Sequence, residues 1–174
     1  AGVVVAKLGT ASVNPAELQR AAAVPRLNTG QDVMSESELA SALADLRSAG
    51  KRVVMTNGCF DLIHPGHIRY LRQAAALGDV LVVAVNDDDS VRRLKGASRP
   101  LNTVSDRMAV LAGLEAIDFV VPFSEDTPER VIELLAPDVL VKGGDYSIEQ
   151  IAGHESVLQR GGEVRILDFF AGHS

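Results

Sequence analysis

The run Val53-Val54-Met55-Thr56 leads through Asn57-Gly58-Cys59-Phe60-Asp61 into a helical stretch from about Pro65 to Leu77 that stops at Gly78. Continuous apolar, β-branched residues of this kind read as a strand buried on both faces. Pro65 suits the first helical turn, and Gly78 suits the position just past the end. A buried strand, a short loop and a helix make the opening unit of a parallel sheet.

The same alternation continues downstream. Val80 to Val85 forms a second strand and runs into Asn86-Asp87-Asp88-Asp89, read as a solvated loop. Ser105-Asp106-Arg107 opens a helix to about Ala116, and Ile117 to Phe123 is a third strand. Thr127-Pro128-Glu129 starts another helix, Asp138 to Lys142 is a fourth strand, a helix lies within 148–160, and Glu163 to Leu167 is a fifth strand. Apolar strands alternating with helices predict a doubly wound, Rossmann-like α/β domain: a five-stranded parallel sheet with helices on both faces. Upstream, Asn14 to Leu18 reads as a short capped helix, 25–31 as a linker, and Ser35 to Ala49 as an amphipathic helix stopped by Gly50.

Composition agrees. The 174 residues are 47% hydrophobic, 23% charged and 4% aromatic, with the apolar share mostly Ala, Val, Leu and Ile. That excludes a disordered chain, and no apolar run approaches the roughly 18 residues of a membrane span. With 17 Lys+Arg against 23 Asp+Glu, the net charge of -6 argues against a broad basic surface for nucleic acid. A small anion is still admissible, since a few local donors can hold one. The single cysteine, Cys59, leaves no internal disulfide and no multi-cysteine zinc site, which is compatible with a reducing compartment.

The chemistry concentrates in Gly58-Cys59-Phe60-Asp61-Leu62-Ile63-His64-Pro65-Gly66-His67. It occupies the first strand-to-helix turn, where a doubly wound sheet opens its ligand crevice. His64 and His67 stand three apart at the helix start, so both imidazoles can point the same way. Gly66 removes a side chain where a ligand must come close. The helix N-terminus adds unpaired backbone N–H groups and partial positive charge. Together these suit phosphate oxygens that gain charge during reaction. The competing readings are a pair of capping histidines and a metal site, the latter a poor zinc set with two ligands alone.

This segment resembles the G-x-F-D-x-x-H-x-G-H signature of the nucleotidyltransferase superfamily. Leu94-Lys95-Gly96, Arg99-Pro100, Asp106-Arg107 and Val141-Lys142-Gly143-Gly144-Asp145-Tyr146 narrow the likeness to its heptose 1-phosphate adenylyltransferase branch. From about Arg52 to the end the chain is similar to that branch, whereas Ala1 to about Glu17 resembles the tail of a ribokinase-like sugar kinase. The resemblance implies a kinase remnant and linker over 1–28, a linker helix over 29–50 and a nucleotidyltransferase domain over 51–174. It also implies transfer of AMP from ATP, with Mg²⁺, to D-glycero-β-D-manno-heptose 1-phosphate in the cytoplasm, by a homodimer, with a kinase domain in the same longer chain and neither nucleic acid nor membrane as partner. The neighbouring alternative is a cytidylyltransferase of the glycerol-3-phosphate or ethanolamine-phosphate type. An alternative of another class is a catalytically silent nucleotide-binding module. A superfamily G-x-S-T-[ST] element would begin at Gly172-His173-Ser174, where the sequence stops.

By the same resemblance, His64, His67 and Lys95 are the catalytic candidates, with Lys95 on a mobile segment after the second strand. Gly58, Cys59, Phe60, Gly66, Lys142, Gly143 and Asp145 would meet the nucleotide; Arg99 and Arg107 would bind the sugar phosphate. Several roles stay open. Asp61 reads either as a metal contact or as a cap at the helix entry, and Asp145 as a Mg²⁺ or ribose contact or an Asx-type turn. Phe60 reads as core or base platform, and Cys59 as a small buried residue.

Overall fold

The computed structural model describes residues 34–167 of the chain. The expected helix at Asn14–Leu18, the kinase-like stretch, the 25–31 linker and Gly172–Ser174 lie outside the described residues. Helix α1 (Glu36–Ser48) leads into β1 (Val53–Gly58), α2 (Pro65–Ala75), β2 (Val80–Asn86), α3 (Asp88–Lys95), α4 (Val104–Ala112), β3 (Phe119–Phe123), α5 (Glu129–Leu135) and β4 (Val139–Gly143). A 3₁₀ turn at Ile148–Gln150, α6 (His154–Gln159) and β5 (Glu163–Leu167) follow.

The five strands are all parallel, in the order β3-β2-β1-β4-β5. The chain therefore winds outward from β1 to β3 and then crosses back to β4. The strands that diverge, β1 and β4, are neighbours, and the crevice of such a sheet opens beyond their C-terminal ends. Period-two alternation sorts the strand residues onto two faces. Val53 and Met55 join Leu39, Leu43 and Ile132 in one core layer. Val54 joins Tyr70, Leu71, Ala74 and Leu111 in the other.

Register is set partly by aspartates in front of the strands. Asp138 Oδ2 accepts from Val53 N at 2.7 Å, Asp118 Oδ2 from Leu81 N at 2.8 Å, and Asp79 Oδ2 from Arg52 N at 2.9 Å. Each carboxylate takes a donor at the start of the adjacent strand, before the ladder begins.

Two elements differ from their sequence reading. The helix read as a linker is a packed layer of the domain: Leu39 and Leu43 are buried, and Arg130 on α5 grips Glu36 with two bonds of 2.7 and 2.8 Å. Its N-terminus is closed by a capping box between Ser35 and Glu38. The aspartate run is not a solvated loop. Asp87 accepts from Ser90 N at 2.7 Å, and Asp88 and Asp89 fill the first turn of α3, where negative charge suits the helix dipole.

Candidate active site

His64 is the N-cap of α2, in extended backbone with φ -133° and ψ 169°. Its Nδ1 accepts from Gly66 N at 3.1 Å, and the Nδ1 of His67 accepts from His64 N at 3.4 Å. The two histidines thus form the reciprocal cap that a serine and a glutamate make elsewhere. An Nδ1 that accepts from a backbone N–H carries no proton, so a neutral ring has its proton on Nε2. The backbone therefore assigns one tautomer to both rings and makes each Nε2 a donor. The cap uses Nδ1 of each ring and leaves Nε2 outside it.

The rings lie 4.0 Å apart between centroids, tilted by 48°. Burial holds the His67 pKa below the ordinary imidazole value, and the neighbouring His64 and Lys95 push it the same way. His67 is accordingly a neutral donor at pH 7. Glycine at 66 has a local cause that differs from the expected approach of a ligand. A Cβ there would lie 2.8 Å from Cε1 and 2.9 Å from Nδ1 of His64, so the absent side chain makes room for the capping ring.

Phe60 adopts the left-handed conformation, φ 48°, and is 7% exposed within the core layer under α2. A Cβ on Gly58 would lie 3.1 Å from its ring, and the ring centroid is 5.6 Å from that of His67. Phe60 is thus a wedge beneath the turn rather than a platform open to a base. Cys59 is half-buried, its sulfur 3.8 Å from Asn86 Oδ1.

Two candidates have their charges taken up by partners within the protein. The cap of α2 is His64 rather than Asp61, whose carboxylate is engaged elsewhere. The Asp61 side chain is 4% exposed, Oδ2 accepts from Arg99 Nη1 at 2.6 Å, and Oδ1 accepts from Leu101 N and Asn102 N at 2.7 and 3.2 Å. Burial works to raise its pKa, but the hydrogen bonds from Asn102, Arg99 and Leu101 outweigh it and hold the group below the usual carboxylate range. Arg107, expected at the sugar phosphate, lies inside the protein. With 1% of its side chain exposed, it donates to the carbonyls of Cys59, Asn86 and Asn102 and to Asp88 Oδ1 at 2.8 Å. A guanidinium whose donors are turned to these four acceptors ties loops together.

The other candidates come from separate elements. Lys95 is the last residue of α3; Gly96 follows it at φ 96°, where glycine is favoured. It is exposed, and its charge reaches His67. Lys142, next to last in β4, reaches Asn57 Oδ1 across the strands at 3.4 Å and lies 6.0 Å from the centre of the Tyr146 ring. Burial lowers its pKa, with Cys59 acting in the opposite sense. Gly143 ends β4 beside it, and Asp145 stands exposed on the loop beyond. Arg99 is brought by Asp61 to the entry of α2. Asn57 and Asn102, which the sequence reading passed over, hold Lys142 and the Asp61 backbone respectively; Asn102 Nδ2 donates to Asp61 O at 2.8 Å. The sequence signal available for Asn57 is its place at the end of the first strand.

Among the described residues, no group of three or more His, Cys, Asp or Glu side chains is placed to hold a metal ion. The donor set therefore does not fit a protein cage for Mg²⁺. No helix among them is long and apolar enough to cross a membrane. A groove lined by Arg47, Lys51, Arg52, Asp138 and Glu163 lies at the opposite end of the sheet. Its charges are taken up locally, Arg52 by Glu163 at 3.0 Å and Lys51 by Asp79 at 3.5 Å.

Residues 55–163 match the family described as cytidylyltransferase-like. A protein named bifunctional protein HldE from Alkalilimnicola ehrlichii is 62% identical over all 174 residues, which cover 36% of that relative. One of the same name from Shewanella sediminis is 59% identical over the whole chain, covering 37% of its length. The chain thus spans little more than a third of these curated relatives. The crystal structure of the lipopolysaccharide core biosynthesis protein from Thermoplasma volcanium GSS1 is similar at a TM-score of 0.58 and 28% identity, over 71% of this chain and 100% of that one.

Proposed function

The chain belongs to the cytidylyltransferase-like family, and from that premise we propose that it transfers AMP from ATP to D-glycero-β-D-manno-heptose 1-phosphate, giving ADP-heptose and pyrophosphate. The observation that carries this reading is the reciprocal cap of His64 and His67, which turns two Nε2–H donors into a preorganised pair at the switch point. An oxygen of the sugar phosphate attacks the α-phosphorus, the new O–P bond forms as the bond to the β-phosphate oxygen breaks, and pyrophosphate departs. The histidines lose no proton. They donate to oxygens whose negative charge grows as the bonds exchange, which stabilises the transition state more than the ground state.

Lys95 approaches from the end of α3 and Lys142 from β4, so the phosphate chain lies between cations carried by separate elements. Arg99, oriented by Asp61, meets the sugar phosphate. The nucleotide runs along Gly58, Cys59, Gly66 and Gly143, with Asp145 near the ribose. Mg²⁺ accompanying ATP would supply charge neutralisation at the phosphates, since the described residues offer no carboxylate cage for it. The choice of sugar is supported by the identity to bifunctional protein HldE and by the likeness to a lipopolysaccharide core biosynthesis protein. We place the enzyme in the cytoplasm as a homodimer, working beside a sugar-kinase domain of a longer chain.

The test is pyrophosphate release with ATP, CTP and GTP against heptose 1-phosphate, with His67→Ala alongside. Expected is ATP-selective turnover that falls about 10²-fold in the variant, the magnitude of losing one charge-stabilising donor. Turnover with CTP in preference to ATP would move the assignment to a cytidylyltransferase; an unchanged variant would remove the histidines from the chemistry.

A further inference from the structure

We propose that Tyr70 is a positioning residue: its hydroxyl pins the helix that carries His64 and His67 to the two strands flanking the crevice, and so sets the imidazoles against Lys142. Tyr70 lies three residues after His67 on α2, on the face turned toward the sheet, and is 6% exposed. Its hydroxyl is 2.6 Å from Thr56 Oγ1 and donates to Val141 O at 3.2 Å. Those two residues are register partners across β1 and β4, the strands that diverge. The residues that follow them are Asn57 and Lys142, themselves joined at 3.4 Å. One hydroxyl therefore lies one step below the cationic end of the crevice and one helical turn below His67.

The hydrogen-bond chain has a direction. A carbonyl only accepts and a phenol has one proton, so Tyr70 donates to Val141 O and Thr56 donates to the phenol oxygen. Burial pushes the phenol pKa up to about 12, so the donor stays protonated at any working pH. Leu71 and Ala74 also press α2 onto the sheet, but apolar packing is non-directional and tolerates sliding. A hydrogen bond between buried groups is geometrically exacting and costly to leave unmade. A phenylalanine would fill the same volume, so what tyrosine adds is the fixed height of the helix above the strand ends. A catalytic donor misplaced by about 1 Å loses much of its effect.

The inference rests on the proposed nucleotidyl transfer, so its test has one kinetic arm and one that needs no turnover. In the full chain, Tyr70→Phe is expected to lower kcat about tenfold with KM for ATP within about twofold, because ground-state contacts persist while the transition-state donors are displaced. Independently, the imidazole ¹⁵N resonances of His64 and His67 are expected to shift, and the titration midpoint of His67 to move. Thr56→Val should reproduce both changes without adding to Tyr70→Phe, and Thr56→Ser should restore the wild-type values. If Tyr70→Phe does not fold, the Thr56 pair decides alone. Imidazole resonances and kcat that stay at wild-type values, with only a lower unfolding midpoint, would reduce Tyr70 to core packing and overturn the proposal. Should the wild-type chain show no transfer with any nucleotide, the resonance arm still distinguishes a failed positioning role from a failed activity.

Discussion

Arg99 Nη1 donates to Asp61 Oδ2 at 2.6 Å, and the same carboxylate takes the backbone N–H groups of Leu101 and Asn102. The loop that precedes the histidine helix and the segment that precedes α4 are thereby one unit, although 38 residues separate the pair. Arg107 ties the same unit from below through Cys59 and Asn102. The turn carrying the histidines is thereby held at its start, at Cys59 and Asp61.

Asp61→Asn removes the negative charge from this carboxylate and turns an amide N–H₂ toward donors. A loss of about 2 kcal/mol of stability is expected, in the range for a buried hydrogen bond to a charged group. The folded carboxyl titrates below its unfolded value, so its contribution is complete above the unfolded pKa of about 3.9 and vanishes as pH falls through the folded pKa. Urea unfolding of both proteins from pH 7 down to pH 3 checks this: the two stability curves should converge only at the acid end.

Arg107→Met is expected to lower stability by about 3–5 kcal/mol, because Asp88 and three carbonyls lose their partner in a buried setting. Arg107→Lys should recover little, since an ammonium lacks the planar fork that reaches acceptors on Cys59, Asn86, Asp88 and Asn102 together. Thermal unfolding measures both. A variant that unfolds like wild type and only binds heptose 1-phosphate less well would restore Arg107 to the substrate site.

Lys95→Ala should raise the His67 pKa, since a positive charge that disfavours the imidazolium has gone. Nuclear magnetic resonance titration of the ring reads this directly, and a midpoint unmoved or lowered would place Lys95 away from the histidines. The depressed wild-type value also has a stability consequence. The unfolded chain takes the proton more readily, so stability declines as pH falls from about 6.5 through the folded pKa and then levels.

Gly66→Ala should separate activity from folding. Alanine suits a helix better than glycine by about 1 kcal/mol, yet its methyl would meet the capping ring of His64 at 2.8 Å. The expected result is an unfolding midpoint near wild type with pyrophosphate release down at least tenfold. Wild-type turnover would show that the His64 ring can vacate its cap without consequence.

The strands, the order of elements and the histidine turn were legible in the sequence because each leaves a local signal. Continuous apolar, β-branched runs mark the strands, Pro65 and Gly78 bracket α2, and His64-Pro65-Gly66-His67 is contiguous. Helix α3 was not legible: three aspartates resemble a solvated run, and only the bond from Ser90 N to Asp87 shows that they open a helix. Helix α1 carries its cap and its amphipathic pattern openly, but its burial against α5 depends on residues nearly a hundred positions away.

What the sequence determined by itself was the parallel α/β domain and a strand-to-helix turn with two histidines, since both follow from local pattern and from neighbours within four residues. The fate of each charged side chain was decided only by the tertiary structure. Asp61, Arg99 and Arg107 look alike in sequence as polar residues near a motif; the fold spends Asp61 and Arg107 on clamping loops and leaves Arg99 at the crevice. The physical reason is that a buried charge must find its partners, and those partners, the carbonyls and N–H groups at the ends of other strands and loops, are brought within reach only when the sheet assembles.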